Sequence, residues 1–148
     1  MRVALDTNVL AYAEGVNGAV KQKVALQVIE RLPEDGTFLP VQVLGEFFRV
    51  PVGKAGRTPE QAQAAILSWQ DAFPLIETSP AVMLAATDLT VHHSLGIWDA
   101  VILSATAAAG CRLLLSEDLH SGFTWNGVTV TNPFSQEKHG LLADLLGS

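Results

Sequence analysis

Short apolar runs alternate along this chain with longer stretches whose apolar residues recur at helical spacing. Runs of the first kind lie at residues 2–5, 37–40, 75–78 and 111–118. Between the first two runs, Val20, Val24 and Val28 recur every fourth residue, which predicts a helix from Asn17 to Leu32. Strands that are separated by helices favour a parallel sheet covered on both faces. We therefore expect a three-layer α/β/α sandwich with a mostly parallel central sheet, formed by one domain over residues 1–148.

Capping residues and apolar spacing predict the other helices. Thr58, Pro59 and Gln61 form the signature of a helix start, and Ser79 with Pro80 forms another. The predicted helices run from Val41 to about Val50, from Thr58 to about Phe73, from Ser79 to about His92, and from Trp98 to Ala109. The remaining predictions are a loop in PVGKAGR (51–57), a strand in NGVTVTNPF (126–134) and a terminal helix in GLLADLLG (140–147).

Composition excludes several classes of protein. Apolar residues make up 49% of the 148 residues and charged residues 16%, which excludes a disordered chain. Cys111 is the only cysteine, so no internal disulfide forms, and we expect it in the core of a cytoplasmic protein. The most apolar stretch, residues 100–115, is too short to span a bilayer, so no membrane association is expected.

The acidic balance of the chain bears on its partners. A net charge of −6 argues against broad electrostatic attraction to nucleic acid. Carboxylates that line a cleft and bind a cation produce the same imbalance, however. The sign of the total charge therefore leaves the choice of partner open.

Acidic residues stand where the predicted strands end. Asp6 follows the first strand and Asp118 follows the strand in RLLLS (112–116), so both are expected at the edge where parallel sheets bind ligands. Asp99 lies at the start of a helix, and Glu46 lies within an apolar helix. If the four side chains converge, their mutual repulsion disfavours the site unless a divalent cation such as Mg²⁺ or Mn²⁺ neutralises it.

Each acid also has an ordinary structural explanation. Asp6 suits the cap of the turn after its strand, and Asp99 suits the acid that often begins a helix. Glu46 lies three residues before Arg49 and suits an ion pair with it, while Glu117 suits a solvated loop. The residues alone leave these alternatives open.

Five segments carry a resemblance to a known family. They are DTNVL (6–10), LGEFFRV (44–50), IWDAVILSAT (97–106), LLLSEDL (113–119) and GVTVTNPF (127–134). In this order and spacing they resemble the PIN-domain ribonucleases, and more closely the VapC-type toxins of toxin–antitoxin pairs. The resemblance implies a PIN-like fold and metal-dependent hydrolysis of RNA, with 5′-phosphate and 3′-hydroxyl products.

The resemblance also implies roles for individual residues. The acidic quartet of the family, which is catalytic and binds one or two Mg²⁺ or Mn²⁺ ions, matches Asp6, Glu46, Asp99 and Asp118. Polar positions that orient carboxylates or waters match Thr7, Asn8 and Ser116, and Glu117 stands at a variable position as an auxiliary candidate. A cognate antitoxin and a homodimer are implied as partners, and the apolar faces at residues 41–50 and 62–69 suit either partner or the core.

Basic and aromatic residues are the candidates for binding RNA. Arg49, Lys54 and Arg57 suit contacts with phosphate oxygens, although they equally suit ordinary cations at a helix end and in a loop. Among the tryptophans, Trp69 and Trp98 are predicted in the core and Trp125 at the surface. The histidines are predicted to be helix-end or surface residues: His92, His93, His120 and His139.

Two other functions compete with this interpretation. A phosphotransfer enzyme, such as a haloacid-dehalogenase-like phosphatase or a receiver domain, also places an aspartate after its first strand and would use Asp6. Asn8 stands where the phosphatase needs a second acid. A catalytically silent PIN-like binding module is the second alternative, and the loss of a quartet member would indicate it. All four are present.

Overall fold

The fold is built on a six-stranded sheet. A computed structural model describes residues 1–54 and 56–147, with the backbone alone for residues 51–54. The strands are Val3–Leu5 (β1), Thr37–Pro40 (β2), Leu75–Ile76 (β3), Leu113–Leu115 (β4), Thr124–Trp125 (β5) and Val128–Thr131 (β6). Their order is β3-β2-β1-β4-β6-β5, and all neighbours are parallel except β5 and β6. The predicted mostly parallel sheet is confirmed.

Helices connect the strands and cover both faces of the sheet. They are Thr7–Ala13 (α1), Ala19–Arg31 (α2), Val41–Lys54 (α3), Pro59–Ala72 (α4), Pro80–His93 (α5), Ile97–Ala108 (α6) and Gly140–Leu145 (α7), with a 3₁₀ turn at Glu34–Gly36. Thr58 and Gln61 form the predicted capping box at α4, and the Ser79 hydroxyl caps α5. In the described part of the chain, no helix is long and apolar enough to cross a bilayer.

The core lies around the two central strands. Every residue of β1 and β4 is fully buried, as expected for strands that have helices on both faces. Residues 100–106 of α6 are also buried, and so is Cys111, as predicted. Because Leu5 pairs with Leu115 in register, the carboxyl ends of β1 and β4 lie side by side.

Two short elements were not predicted. Helix α1 begins directly after β1, and most of its residues are buried, so its sequence lacks the alternation of apolar and polar faces that reveals a longer helix. The strand β5 forms a hairpin with β6 across Asn126 and Gly127, which have φ values of 50° and 86°. An Asn-Gly pair with two positive φ angles is the common two-residue hairpin turn, so this signal was present in the sequence.

The predicted loop at residues 51–57 is wrong over its first part. Helix α3 continues to Lys54 rather than ending near Val50. Proline removes one backbone hydrogen bond and crowds the preceding helical turn, yet a helix can continue past it with a kink.

Candidate active site

Asp6 is held at the junction of β1 and α1. Its Oδ1 accepts a 2.7 Å hydrogen bond from the Thr7 backbone N–H and caps α1, while its Oδ2 accepts a 2.7 Å bond from the Ser116 hydroxyl. The residue is only 3% exposed. Burial raises the pKa of Asp6 to about 6; the two hydrogen bonds oppose the shift, and the charges of Asp99 and Asp118 add to it. Asp6 therefore has both roles considered for it: it caps the helix α1, and it interacts electrostatically with Asp99 and Asp118.

The Ser116 hydroxyl connects several polar groups at the end of β4. It donates to Asp6, and it accepts 3.2 Å bonds from the backbone N–H groups of Asp118 and Leu119. The Asn8 side-chain amide donates to Ser116 Oγ at 3.4 Å and to Asp118 Oδ2 at 3.2 Å, and its oxygen accepts from the Glu117 backbone N–H at 3.1 Å. Ser116 and Asn8 thus fix the loop that carries Asp118 to the end of β1.

Glu46 extends from α3 towards the same point. Burial raises the pKa of Glu46 to about 7, and the charges of Asp6, Asp99 and Asp118 contribute to the shift. Its Oε2 is buried and has no hydrogen-bond partner among the residues that the structure describes. The Thr7 hydroxyl is close enough to oppose the pKa shift slightly, yet it forms no hydrogen bond of acceptable geometry with any group in the described part of the chain. An unpaired buried carboxylate oxygen is costly unless another group, such as a cation, satisfies it.

Asp99 and Asp118 complete the group. Asp99 lies in the first turn of α6, and burial together with the charge of Asp118 raises its pKa. Asp118 is exposed, and Asn8 donates to one of its oxygens. The structure therefore brings together all four acids of the predicted quartet from β1, α3, α6 and the end of β4.

The chemistry of this group fits a hard divalent cation. Besides burial, the charges of neighbouring acids raise the pKa values of Asp6, Glu46 and Asp99, so a positive charge among them would relieve the repulsion. Their donors are carboxylate oxygens, which Mg²⁺ and Mn²⁺ prefer. Within the described residues, no three potential ligands are already arranged as a formed metal site. Three features therefore make these residues suitable for a divalent cation: the carboxylate donors, the shared negative charge, and the Oε2 of Glu46, which is unpaired within the described residues.

Glu117 is occupied by other contacts. Its Oε1 accepts a 2.7 Å bond from the Tyr12 hydroxyl, and its Oε2 forms an ion pair with Lys21. Burial alone would raise the pKa of Glu117, but the Lys21 and Tyr12 hydrogen bonds outweigh it and lower that pKa. Burial and the bond to Glu117 raise the pKa of Tyr12 to about 12. Sequence reasoning missed both contacts, because Tyr12 lies on the unpredicted helix α1 and Lys21, on α2, is distant in sequence from Glu117.

A cleft of about 530 Å³ opens beside the acids. Its lining residues are Thr7, Asn8, Ala11, Tyr12, Val16, Glu46, Arg49, Val50 and Asp118. Arg49 is exposed and forms no ion pair within the described residues. It lies one helical turn after Glu46, which places a cation at the edge of the acidic group.

The other two predicted RNA contacts have different surroundings. Arg57 donates at 2.8 Å both to the Glu14 carboxylate and to the Glu14 backbone carbonyl, so it binds the end of α1. Lys54 ends α3, and its side chain lies outside the described residues.

The predicted placement of two tryptophans is wrong. Trp98 is 54% exposed, whereas Trp125 is half-buried and packs against the core. The apolar pattern of α6 does not distinguish its buried body from its first turn, where Trp98 lies. Trp69 is half-buried and stacks on Phe73 with ring centroids 6.3 Å apart, in agreement with the prediction.

Known proteins share the sequence pattern and the fold. The sequence model of the PIN domain matches residues 3–121, a span that contains all four acids. No curated protein sequence matches significantly. A toxin–antitoxin complex from Klebsiella pneumoniae has a TM-score of 0.68 at 18% identity, over 89% of this chain and 98% of the other.

Two further solved structures show the same likeness. VapC20 from Mycobacterium tuberculosis, described as a toxin that cleaves the sarcin-ricin loop, has a TM-score of 0.66 at 16% identity, over 78% of this chain and 89% of that one. VapBC2 from Rickettsia felis, bound to a DNA fragment of its promoter, has a TM-score of 0.63 at 17% identity, over 89% and 98%. At these identities the likeness shows a common fold.

Proposed function

Because this chain belongs to the PIN domain family, as its sequence predicted, we propose that it is a divalent-metal-dependent endoribonuclease and the toxin of a toxin–antitoxin pair. The observation that carries the proposal is the convergence of Asp6, Glu46, Asp99 and Asp118, each from a different element. Burial raises the pKa values of Asp6, Glu46 and Asp99, and the charges of neighbouring acids of the quartet add to each shift. A polar cluster that served only to cap helices would not need four acids at one point.

The quartet would hold Mg²⁺ or Mn²⁺ through carboxylate oxygens. The bound cation supplies charge neutralisation at the phosphate and lowers the pKa of a water molecule, which allows hydrolysis near neutral pH. Asp6 and Glu46 would release any proton they carry when they become ligands, so metal binding is expected to strengthen as the pH rises.

The surrounding residues act by positioning the acids. Ser116 holds Asp6 through Oδ2, and Asn8 holds Asp118 through Oδ2, so each aspartate keeps one fixed orientation. This order limits the reorganisation needed when substrate binds. Arg49 is free to contact a phosphate oxygen of RNA at the mouth of the cleft. We expect 5′-phosphate and 3′-hydroxyl products and no covalent intermediate.

The phosphotransfer alternative has less support from the residues next to Asp6. A phosphatase of this kind needs a second acid two residues later, whereas Asn8 stands there and its side-chain amide donates to Ser116 and Asp118. A silent binding module does not explain why the complete quartet is present. Cleavage of RNA with and without metal distinguishes a catalytic protein from a silent binding module.

We propose that the protein is cytoplasmic and that its protein partner is an antitoxin. Solved structures of similar fold include toxin–antitoxin complexes from Klebsiella pneumoniae and Rickettsia felis. An open acidic cleft and a net charge of −6 suit a segment with a basic side chain. Phe48 of α3 and Leu67 of α4 are exposed apolar residues on the faces that the sequence offered for an antitoxin or for a homodimer.

The direct test is cleavage of purified RNAs with Mn²⁺ or Mg²⁺ and with a chelator. Wild-type protein is expected to cut only with metal, and Asp99→Asn and Asp118→Asn are expected to lose about 100-fold or more in rate. Asp71→Asn is the matched control, because Asp71 is exposed on α4. Cleavage that persists in chelator, or an absence of cleavage with every metal and RNA, would contradict the proposal.

A further inference from the structure

A second cavity adjoins the acidic quartet on the side away from Arg49. It has a volume of about 430 Å³, and its walls come from the end of α5, the start of α6 and the segment between β4 and β5. Its side chains include His93, Ser94, Asp99, His120 and Phe123. Cavities of this size accept small organic groups.

Asp118 joins the two cavities. It borders the first cleft together with Glu46 and Arg49, and it borders the second cavity together with Asp99. The quartet therefore lies where the two spaces meet. A polymer whose phosphate reached the acids would place one neighbouring nucleotide in each space.

The outer wall of the second cavity is aromatic and well supported. The rings of His93 and Phe123 contact edge to face, with centroids 5.5 Å apart and planes at 65°. Backbone bonds fix Phe123: its N–H donates to the His120 carbonyl at 3.1 Å, and its carbonyl accepts from the Val130 N–H at 2.9 Å. The ring is half-buried and packs against the core. A ring held in this way offers a fixed surface for stacking.

The charges of the cavity indicate what kind of group it accepts. Asp99 and Asp118 are acidic, and neither Lys nor Arg is among the described residues that line it. A phosphate would be repelled there in the absence of a cation. A neutral planar group with hydrogen-bonding edges suits the aromatic wall, the two imidazole rings and the Ser94 hydroxyl.

From this arrangement we propose that the second cavity binds the unpaired nucleobase of the nucleotide next to the scissile phosphate, with His93, His120 and Phe123 as base-contacting residues. The proposal rests on the proposed ribonuclease function and adds a determinant of substrate choice. A base that is paired within a helix cannot enter the cavity. The enzyme therefore requires an unstacked nucleotide at the cut and favours loops or single strands.

The test combines substrate and protein changes. Oligoribonucleotides carry either a normal or an abasic nucleotide on each side of the preferred cut and are cleaved with Mn²⁺ under steady-state conditions. The protein variants are His93→Ala, His120→Ala and Phe123→Leu, and the last keeps apolar bulk in case removal of the ring disturbs folding. His92→Ala is the matched control, because His92 is exposed next to His93 and does not line the cavity.

On the normal substrate, His93→Ala and Phe123→Leu are each expected to raise KM about tenfold and to leave kcat nearly unchanged, as loss of one stacked base contact predicts. The abasic substitution on one side of the cut is expected to raise KM in wild type by a similar factor and to abolish the difference between wild type and these variants. His92→Ala is expected to behave as wild type throughout.

A second readout does not depend on turnover. In an Asp6→Asn background, an oligonucleotide with 2-aminopurine at the sensitive position is expected to lose fluorescence on binding, because the base stacks on the aromatic wall. His93→Ala and Phe123→Leu are expected to weaken that quenching, and His92→Ala is expected to preserve it.

The outcomes separate the two proposals. Cleavage by wild type with equal KM for normal and abasic substrates would overturn the base-binding proposal and leave the ribonuclease proposal intact. The same holds if His93→Ala and His92→Ala have identical effects. Absence of any metal-dependent cleavage by wild type would overturn both proposals.

Discussion

The Ser116 hydroxyl donates a 2.7 Å hydrogen bond to Asp6 Oδ2 and thereby joins the ends of the two central strands. Ser116→Ala removes this donor from a buried carboxylate and also removes the acceptor of two backbone N–H groups. We expect the free energy of unfolding to fall by about 2 kcal/mol and the Mn²⁺ requirement to rise. Denaturant unfolding and Mn²⁺ titration of cleavage measure the two effects.

Ser104→Ala is the control for this change. Ser104 is also buried, but within residues 1–54 and 56–147 its hydroxyl has no hydrogen-bond partner. Its removal is expected to leave stability and metal requirement nearly unchanged. Equal effects of the two substitutions would show that the Ser116 bond has no special role.

The acids also predict an unusual dependence of stability on pH. Asp6, with its pKa raised to about 6, and Glu46, with its pKa raised to about 7, hold protons in the folded state that the unfolded chain has already lost. Folding therefore binds protons between about pH 4 and pH 7, and stability of the metal-free protein falls as the pH rises through that range. The fall is expected to be on the order of 6 kcal/mol, because the pKa values of both acids lie a little more than two above their ordinary values.

Thermal unfolding across this range, in chelator and in Mn²⁺, checks the prediction. Metal is expected to reverse the trend, because the deprotonated acids bind it best. Glu46→Gln is expected to reduce the slope, whereas Glu30→Gln, at an exposed position of α2, leaves it unchanged. Glu117, whose pKa is lowered, acts in the opposite direction and only below its ordinary value of 4.5. A metal-free stability that rises steadily up to neutral pH would contradict the raised pKa values of Asp6 and Glu46.

The sequence predicted the sheet and the meeting of Asp6 with Asp118 at its edge from local rules, whereas the inclusion of Glu46 and Asp99 came from the family resemblance. Short apolar runs alternating with helical patterns require parallel pairing, and parallel strands place the residues after β1 and β4 together. The contact of Tyr12 was not predicted, because Tyr12 lies on α1, a buried helix of seven residues with no amphipathic pattern. Lys21 lies on the predicted helix α2, and its ion pair with Glu117 was not predicted because the two residues are distant in sequence.

Surface exposure was harder to predict than strand order. Trp98 was assigned to the core because its neighbours in sequence are apolar, yet it is 54% exposed. Arg49 and Arg57 looked equivalent as basic residues after Glu46, and only the structure shows that Arg57 is bound to Glu14. Which cations remain free depends on contacts between residues that are distant in sequence.

This difference predicts separate effects for the two arginines. Arg57→Met removes an ion pair and a bond to the Glu14 carbonyl, so it is expected to lower unfolding free energy by about 1 kcal/mol and to change KM little. Arg49→Met breaks no described ion pair and is expected to raise KM for RNA severalfold, with less salt dependence, at unchanged stability. Denaturant unfolding and KM at several salt concentrations distinguish the two. Identical profiles would contradict the assignment.

Glu117 is expected to position the loop after β4 and not to bind the metal. Its carboxylate is already bonded to Tyr12 and Lys21, so Glu117→Gln is expected to lower stability by about 1 kcal/mol and to preserve the thermal shift produced by Mn²⁺. Lys21→Met is expected to have the same effect on stability, because it breaks the same ion pair. Glu46→Gln, in contrast, is expected to remove most of the Mn²⁺ shift. Loss of the Mn²⁺ shift in Glu117→Gln, as in Glu46→Gln, would contradict this assignment. Glu117 would then have to leave Lys21 and bind the metal as a fifth acidic ligand.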